Sequence, residues 1–275
     1  MTPDEFGKLR DYIYRKTGLY FDDKKLYYVE RRVEERMRAT GMDRFGAYFN
    51  WLRFEPSQAE FQQLLNALTV NETYFFREYD QLRCFAEEAL PELLAACGGG
   101  SAKRLRVWSA GCSTGEEAYT LAIILKEMTE GLPTGPVHWE VHATDLNTEV
   151  LETARRGVYG RRAVRGVPEV YLQRYFTCCA DGLYRVSETL RAGVRFYPLN
   201  LLDREAMRTM RDFDAIFCRN VLIYFDDASR RQVALYFYEA LRPGGFIFLG
   251  HSESMSRIAP IFRLRRFNNA IIYQK

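Results

Sequence analysis

The stretch that decides the fold is Leu105–Leu125, LRVWSAGCSTGEEAYTLAIIL, which reads as a strand, a tight small-residue turn and a helix in immediate succession. Val107 and Trp108 have the β-branched and aromatic character of a buried strand. The run Ala110-Gly111-Cys112-Ser113-Thr114-Gly115 lets backbone approach a ligand closely. A helix is expected from about Gly115, with Ala118, Leu121, Ala122 and Leu125 recurring at helical spacing to pack on a sheet. Glu116 and Glu117 fall in its first turn, where a carboxylate suits the positive helix end. They also argue against a pyrophosphate, which prefers free N–H groups without competing negative charge. The glycines miss the G-x-G-x-x-G spacing, so the turn points to a ligand with a cationic or hydroxyl-bearing part rather than to a dinucleotide. An ordinary βα turn whose glutamates merely cap the helix remains open on this stretch alone.

Downstream the strand-helix rhythm repeats. His138–Asp145 is a second strand ending in an acid, and in a parallel α/β sheet ligands sit at the carboxyl ends of strands. Asp145 should therefore face the Gly111–Gly115 turn, where a carboxylate can accept both hydroxyls of a ribose; an Asp capping the helix over 149–156 fits the same geometry. The segment 195–203 (RFYPLNLLD) is a third strand running into polar residues. Phe213–Cys218 is a buried strand leading into Arg219-Asn220-Val221-Leu222-Ile223-Tyr224. A helix over 229–241 then stops at Pro243-Gly244-Gly245 before a strand over 246–250, and Ala270–Tyr273 fits an antiparallel edge. His251 follows a strand end, as a proton carrier or as a hydrogen-bonded structural group. Between Gly157 and Arg195 the rhythm breaks: runs at 158–159, 183–186 and 194–197 suggest a small antiparallel insert, the last run returning to the main sheet.

Upstream the pattern is helical. Phe6, Leu9 and Ile13 share one face, as do Leu26, Val29, Val33 and Met37, and then Phe61, Leu64, Leu65 and Leu68. Thr69–Glu78 (TVNETYFFRE) follows neither a helical nor a strand period: Asn71 and Thr73 are cap and turn residues beside the Phe75-Phe76 pair. It suits a ligand wall, or a helix start anchored in the core. The expected organisation is a helical domain over 1–75, a linker helix and Gly-rich joint (Gly98–Ala102) over 76–104, and an α/β domain over 105–275 with its insert at about 157–193.

Composition narrows the class. At 275 residues and 47% hydrophobic content the chain can bury a globular core. No run reaches the ~20 apolar residues of a membrane span, and charge begins at residue 4, unlike a signal peptide, so a cytoplasmic protein without membrane insertion is expected. Six cysteines show no C-x-x-C pair, which points to free thiols and no metal; the vicinal Cys178-Cys179 reads as a redox switch or as two small loop residues. A net charge of +3 is too small to imply nucleic acid. Arg155, Arg156, Arg161, Arg162 and Arg165 nevertheless fall in a stretch without Asp or Glu, a positive surface for an acidic partner or a merely solvated face.

Four strand ends thus converge: a small-residue turn with Glu, an Asp, an Asn-Leu-Leu-Asp and an Arg-Asn-Val-Leu-Ile-Tyr, closed by Leu-Arg-Pro-Gly-Gly and a late hairpin. The pattern resembles class I S-adenosylmethionine-dependent methyltransferases, with Ser113 in place of the middle glycine of the usual G-x-G-x-G. More specifically, NETYFFRE, SAGCSTGEEAY, ATDLN, CRNVLIYF and LRPGGFIFLGHSES resemble the chemotaxis receptor methyltransferases of the CheR family, from the N-terminal helices to residue 275. An exocyclic-amine methyltransferase would want a Pro-Pro-Tyr-like loop and a base-carbon methyltransferase a Pro-Cys nucleophile, and the chain has neither. A cofactor-binding regulator would need neither Arg77 nor Tyr224.

The resemblance implies a Rossmann-like, mostly parallel sheet with an N-terminal all-helical domain. It implies methyl transfer from S-adenosylmethionine to receptor glutamates, with S-adenosylhomocysteine as product and no metal. Asn71, Thr73 and Arg77 would belong to the cofactor and active-site wall, Gly111 to the turn beneath the cofactor, Glu117 and Asp145 to the cofactor, Asp145 on the ribose. Asn200 and Leu201 would flank the adenine, Asn220 and Val221 would hold the methionine end, and Arg77, Arg219 and Tyr224 would line the methyl-transfer site. The implied partner is the cytoplasmic helical domain of chemotaxis receptors, met by a monomer that binds no nucleic acid. Some family members grip a receptor-tethered pentapeptide through a Gly-x-Gly-containing loop in the insert. Here the corresponding loop is TCCADG, so a pentapeptide-independent enzyme is expected.

Overall fold

The computed structural model describes residues 1–96, 103–133 and 135–275. The Gly98–Ala102 joint and Cys97 lie outside the described residues. Helices α1 (Pro3–Thr17), α2 (Leu26–Ala39), α3 (Phe45–Phe54) and α4 (Ala59–Leu68) pack around Leu9, Ile13, Val33, Tyr48, Leu52 and Leu64. Sequence periodicity missed α3, whose FGAYFNWLRF is apolar nearly all round and so carries little helical contrast. A buried carboxylate pins these helices together: Glu60 accepts from Arg36 Nε at 2.9 Å, Arg36 Nη2 at 2.6 Å and Tyr48 Oη at 2.8 Å. α1 begins on a reciprocal cap between Thr2 and Glu5 and ends at Gly18, whose φ of 74° is left-handed.

Irregular chain from Thr69 to Glu78 crosses to α5 (Tyr79–Cys84), which continues through a wider turn at 85–89 into α6 (Leu90–Ala96). The α/β part then alternates β1 (Lys103–Ala110), α7 (Glu116–Thr129), β2 (Val137–Asp145) and α8 (Thr148–Arg156). The insert holds β3 (Val158–Tyr159), α9 (Arg161–Val164), α10 (Glu169–Tyr175), β4 (Phe176–Cys178), β5 (Tyr184–Val186) and α11 (Glu188–Arg191). The rhythm resumes with β6 (Val194–Pro198), α12 (Arg204–Thr209), β7 (Phe213–Cys218), α13 (Asp227–Ala240), β8 (Leu241–Leu249), α14 (Met255–Ile258), β9 (Arg263–Arg266) and β10 (Ile271–Gln274).

Among the described residues the main sheet runs β6-β2-β1-β7-β8-β10-β9. Its first five strands are parallel and β10 is antiparallel to both neighbours. This is the expected Rossmann-like class I methyltransferase sheet beside an all-helical N-terminal part. A second, antiparallel sheet, β3-β5-β4, lies within the insert. β4 and β9 escaped the sequence reading: three residues of Phe-Thr-Cys and an arginine-rich RLRR show no strand period. β8 also runs through Pro243-Gly244-Gly245, expected as a break, and its register against β7 slips between Phe213 and Ala215.

Both sheet faces are buried. α7 and the α5–α6 helix cover one, where Phe217 and Phe248 stack at 4.3 Å and Phe85 sets its edge on both. α12 and α13 cover the other, over Trp108, Phe213 and Phe237. Among the described residues no helix is long and apolar enough to cross a membrane.

Candidate active site

The carboxyl ends of β1, β2, β6 and β7 open into a cleft of about 590 Å³, roofed by residues 17–28 of the helical part and walled by the 69–77 crossing. The residues that the resemblance assigns to the site all line it: Asn71, Thr73, Arg77, Gly111, Glu117, Asp145, Asn200, Leu201, Arg219, Asn220, Val221 and Tyr224.

The floor is the turn after β1. Gly111 has φ 83°, and a Cβ there would lie 2.4 Å from Val221 Cγ2. Ser113, standing where a glycine is usual, also takes a left-handed φ of 49°, and its N–H donates to Asp145 Oδ2 at 2.8 Å. Asp145 Oδ1 accepts from Asn147 N at 2.9 Å. The helix cap is Asn147 instead, whose side chain accepts from Glu149 N and Val150 N. Asp145 is thus free to present its remaining lone pairs to the cleft. Burial raises its pKa, against the lowering effect of the Asn147 and Ser113 N–H groups.

The two first-turn acids of α7 part company. Glu116 is buried off the cleft and accepts from Thr114 Oγ1 at 2.6 Å, whereas Glu117 lines the cleft and accepts from Ser109 Oγ at 2.7 Å. Burial pushes the Glu117 pKa up, and the Arg219 guanidinium works against it. Arg219 Nε lies 3.5 Å from Glu117 Oε2 and 3.6 Å from Glu78 Oε2, and its Nη2 donates to the Arg77 carbonyl at 2.5 Å. Its charge is therefore spent between two carboxylates. Glu78 itself has φ 56°.

At the mouth, Arg77 Nη1 donates to the Glu72 carbonyl at 2.7 Å, and its guanidinium lies 6.0 Å from the Tyr74 ring centroid. Arg165 covers the same ring at 4.8 Å. Two other arginines of the cluster bond away from the cleft: Arg155 pairs with Glu152 and donates to the Phe196 carbonyl, and Arg156 bonds Thr153. Tyr224 Oη stands 3.5 Å from the Val70 carbonyl. Its own carbonyl accepts from Tyr20 N at 2.9 Å, beside an antiparallel bridge between Leu19 and Phe225. Asn200 spends its amide on Leu202 N and the Lys16 carbonyl.

His251 is exposed and does not line the cleft; its Nε2 lies 3.9 Å from Glu78 Oε2. The roof residues Leu19, Tyr20, Phe21 and Tyr28 were not anticipated: the first three lie in the α1–α2 connection, outside any helical period, and Tyr28 is not one of the buried positions of α2, Val29 and Val33. Cys84, Cys112, Cys178, Cys179 and Cys218 are free thiols. Among the described residues no group of His, Cys, Asp or Glu could hold a metal.

The cleft fits S-adenosylmethionine on its own chemistry. A glycine floor excludes even a methyl group, an acid stands at the end of β2 where a ribose diol would lie, and a buried carboxylate stands where a cationic amino-acid group would be neutralised. Residues 4–69 match the family described as "CheR methyltransferase, all-alpha domain" and residues 71–271 match "CheR methyltransferase, SAM binding domain". The chain is 44% identical to chemotaxis protein methyltransferase 2 of Vibrio cholerae over its whole length and 94% of that protein. It is 40% identical to the chemotaxis protein methyltransferase of Salmonella typhimurium and 39% to that of Escherichia coli, covering 94% of this chain and 87% of each relative. The chain belongs to the CheR methyltransferase family and is an S-adenosylmethionine-dependent methyltransferase.

Proposed function

We propose that the enzyme methylates glutamate side chains in the cytoplasmic helical domain of chemotaxis receptors, forming methyl esters for sensory adaptation. The observation that carries this reading is the polarity of the cleft. Its floor is acidic, with Glu117 and Asp145, while its mouth carries Arg77, Tyr224 and, over Tyr74, Arg165. A cationic donor suits the floor and an anionic acceptor suits the mouth. S-adenosylmethionine supplies a methyl group activated by its sulfonium.

The chain's own residues have modest chemical duties. A glutamate with a pKa of about 4.3 is already ionised at pH 7, so no group need remove a proton. Arg77 and Tyr224 orient the incoming carboxylate and hold it out of water; alignment of this kind supplies up to about 7–11 kcal/mol. Asp145 takes the ribose, Asn200 and Leu201 the adenine, Asn71 and Thr73 the adjoining wall. Glu117, Asn220 and Val221 take the methionine end, over Gly111. Arg219 works through Glu117 rather than on the acceptor. The helical domain of residues 1–75 and the catalytic domain of residues 105–275 meet through the linker at 76–104.

We further propose that receptor capture is pentapeptide-independent and that the enzyme acts as a cytoplasmic monomer without nucleic acid. Cys179 N donates to the Leu183 carbonyl at 2.7 Å and Gly182 N to the Cys179 carbonyl at 3.0 Å, closing the β4–β5 turn on itself. That leaves little free backbone in the turn to pair with an added strand. The test is transfer of radiolabelled methyl to receptor cytoplasmic fragments: base-labile label is expected, and base-stable label or none would overturn the ester reading.

A further inference from the structure

A carboxylate that lines no part of the cleft sits directly behind its methionine end. Glu253 follows β8 in a turn closed by its own N–H donating to the Gly250 carbonyl at 3.0 Å. Its Oε2 folds back to accept two backbone N–H groups, from Gly250 at 2.8 Å and from Asn220 at 2.9 Å. These N–H groups belong to residues just beyond the ends of two adjacent parallel strands, Gly250 after β8 and Asn220 two residues past β7. One carboxylate oxygen therefore ties the two strand ends together where neither has a ladder partner left.

The tie acts on a residue with a left-handed backbone. Asn220 has φ 59°, a conformation that asparagine enters more readily than most other side chains but holds where its surroundings support it. Here two features do so. Glu253 holds the Asn220 N–H, and Gly250 admits the Asn220 amide: a Cβ at Gly250 would lie 2.8 Å from Asn220 N and 2.9 Å from Asn220 Nδ2. Glu253 Oε1 is buried without a hydrogen-bond partner.

We propose that Glu253 is a positioning residue for the amino-acid end of the cofactor, acting through the backbone of Asn220. The proposal rests on the assignment of Asn220 and Val221 to that end. Without the tie, Asn220 relaxes toward ordinary backbone and its amide swings off the wall, while the Asp145 and Asn200 end of the cleft, on other strands, stays as it is.

Two ligands separate these ends in calorimetric titration. S-adenosylhomocysteine spans the whole cleft, and 5′-methylthioadenosine shares its adenosine but lacks the amino-acid part. Glu253→Ala should weaken S-adenosylhomocysteine about tenfold or more, as for loss of hydrogen bonds to a charged group, and move 5′-methylthioadenosine less than about threefold. Glu253→Gln keeps one acceptor oxygen, so it should show the same selectivity with a smaller loss, and it carries the test if the alanine variant does not fold. A merely structural Glu253 would weaken both ligands together, and that result, or no change in either, overturns the proposal. Asn220→Ala is the reference. If it is selective while the Glu253 variants are not, the positioning role alone falls; if it is unselective, the assignment of the amino-acid end falls and takes the proposal with it.

Discussion

The backbone N–H of Ser113 and Oδ2 of Asp145 are 2.8 Å apart, so the turn after β1 is tied to the end of β2 by the carboxylate that faces the cleft. The bond holds Ser113 in a left-handed conformation without a glycine. Asp145→Ala should therefore weaken S-adenosylmethionine binding by about 1.5–3 kcal/mol, the range for a hydrogen bond to a charged group. An unchanged dissociation constant by calorimetry would remove Asp145 from the ribose.

Burial raises the carboxyl pKa of both Asp145 and Glu117. A raised value means that stability from these two groups is full below the ordinary carboxylate range and is lost as pH rises through their folded values. Ligand binding runs the other way, because a cationic donor needs the ionised forms. Cofactor affinity is expected to fall on acidification, starting above the ordinary carboxylate range of about 4. Calorimetry across that range in wild type and in Glu117→Gln checks this: the substitution should weaken binding near neutrality and flatten the acid side of the profile.

Arg219 and Tyr224 should fail in different ways. Arg219→Ala leaves Glu117 and Glu78 without their shared cation, and breaking a buried pair costs about 3–5 kcal/mol. Urea unfolding should register that loss. Tyr224→Phe removes a hydroxyl whose one hydrogen bond, to the Val70 carbonyl, is 3.5 Å long, so stability should move by less than about 0.5 kcal/mol while the methylation rate drops more than cofactor affinity. Equal losses of rate and affinity would make Tyr224 a binding residue only.

Glu140, far from the cleft, should dominate acid sensitivity. Its burial would raise its pKa, but hydrogen bonds from Arg106 and His142, with Arg104 close by, pull it down to about 2. A folded value below the unfolded one contributes stability above the unfolded pKa and loses it as pH falls through the folded one. Glu140→Gln should cost about 3 kcal/mol at pH 7 and progressively less between about pH 4.5 and 2. A constant difference across that window would rule this out.

Receptor capture should depend on salt and not on a tethered peptide. Arg165→Ala is expected to raise the receptor KM with little change in kcat. Raising ionic strength from about 0.05 to 0.5 M should slow methylation at subsaturating receptor, since the Debye length shortens about threefold. Micromolar binding of the pentapeptide in titration would refute peptide independence, and a salt-independent rate would refute electrostatic capture.

The sheet and the cleft floor were legible because their signals are local. A strand, a small-residue turn and an amphipathic helix are each written within a few residues, and strand ends meet by topology. Ser113 could be placed in the turn by spacing, but its left-handed backbone depends on Asp145, 32 residues away. Arg219 could be placed at the cleft from its strand end, but its partners Glu78 and Glu117 come from two other elements. Glu253 lay inside the LRPGGFIFLGHSES stretch, but nothing local marked its bond to Asn220 N, 33 residues away. Beyond short or evenly apolar elements such as α3, β4 and β9, what escaped the sequence was side-chain pairing between distant segments.

The bridge between Leu19 and Phe225, with Tyr20 N–H on the Tyr224 carbonyl, has a consequence for how such enzymes can be reassembled. The platform proposed to meet the acceptor is stitched from both halves of the chain, so neither half is a free-standing cartridge. A chimera carrying a foreign helical domain inherits a Tyr224 shelf cut to another pattern, and only donors that preserve the backbone pairing at residues 19–20 should keep the shelf level.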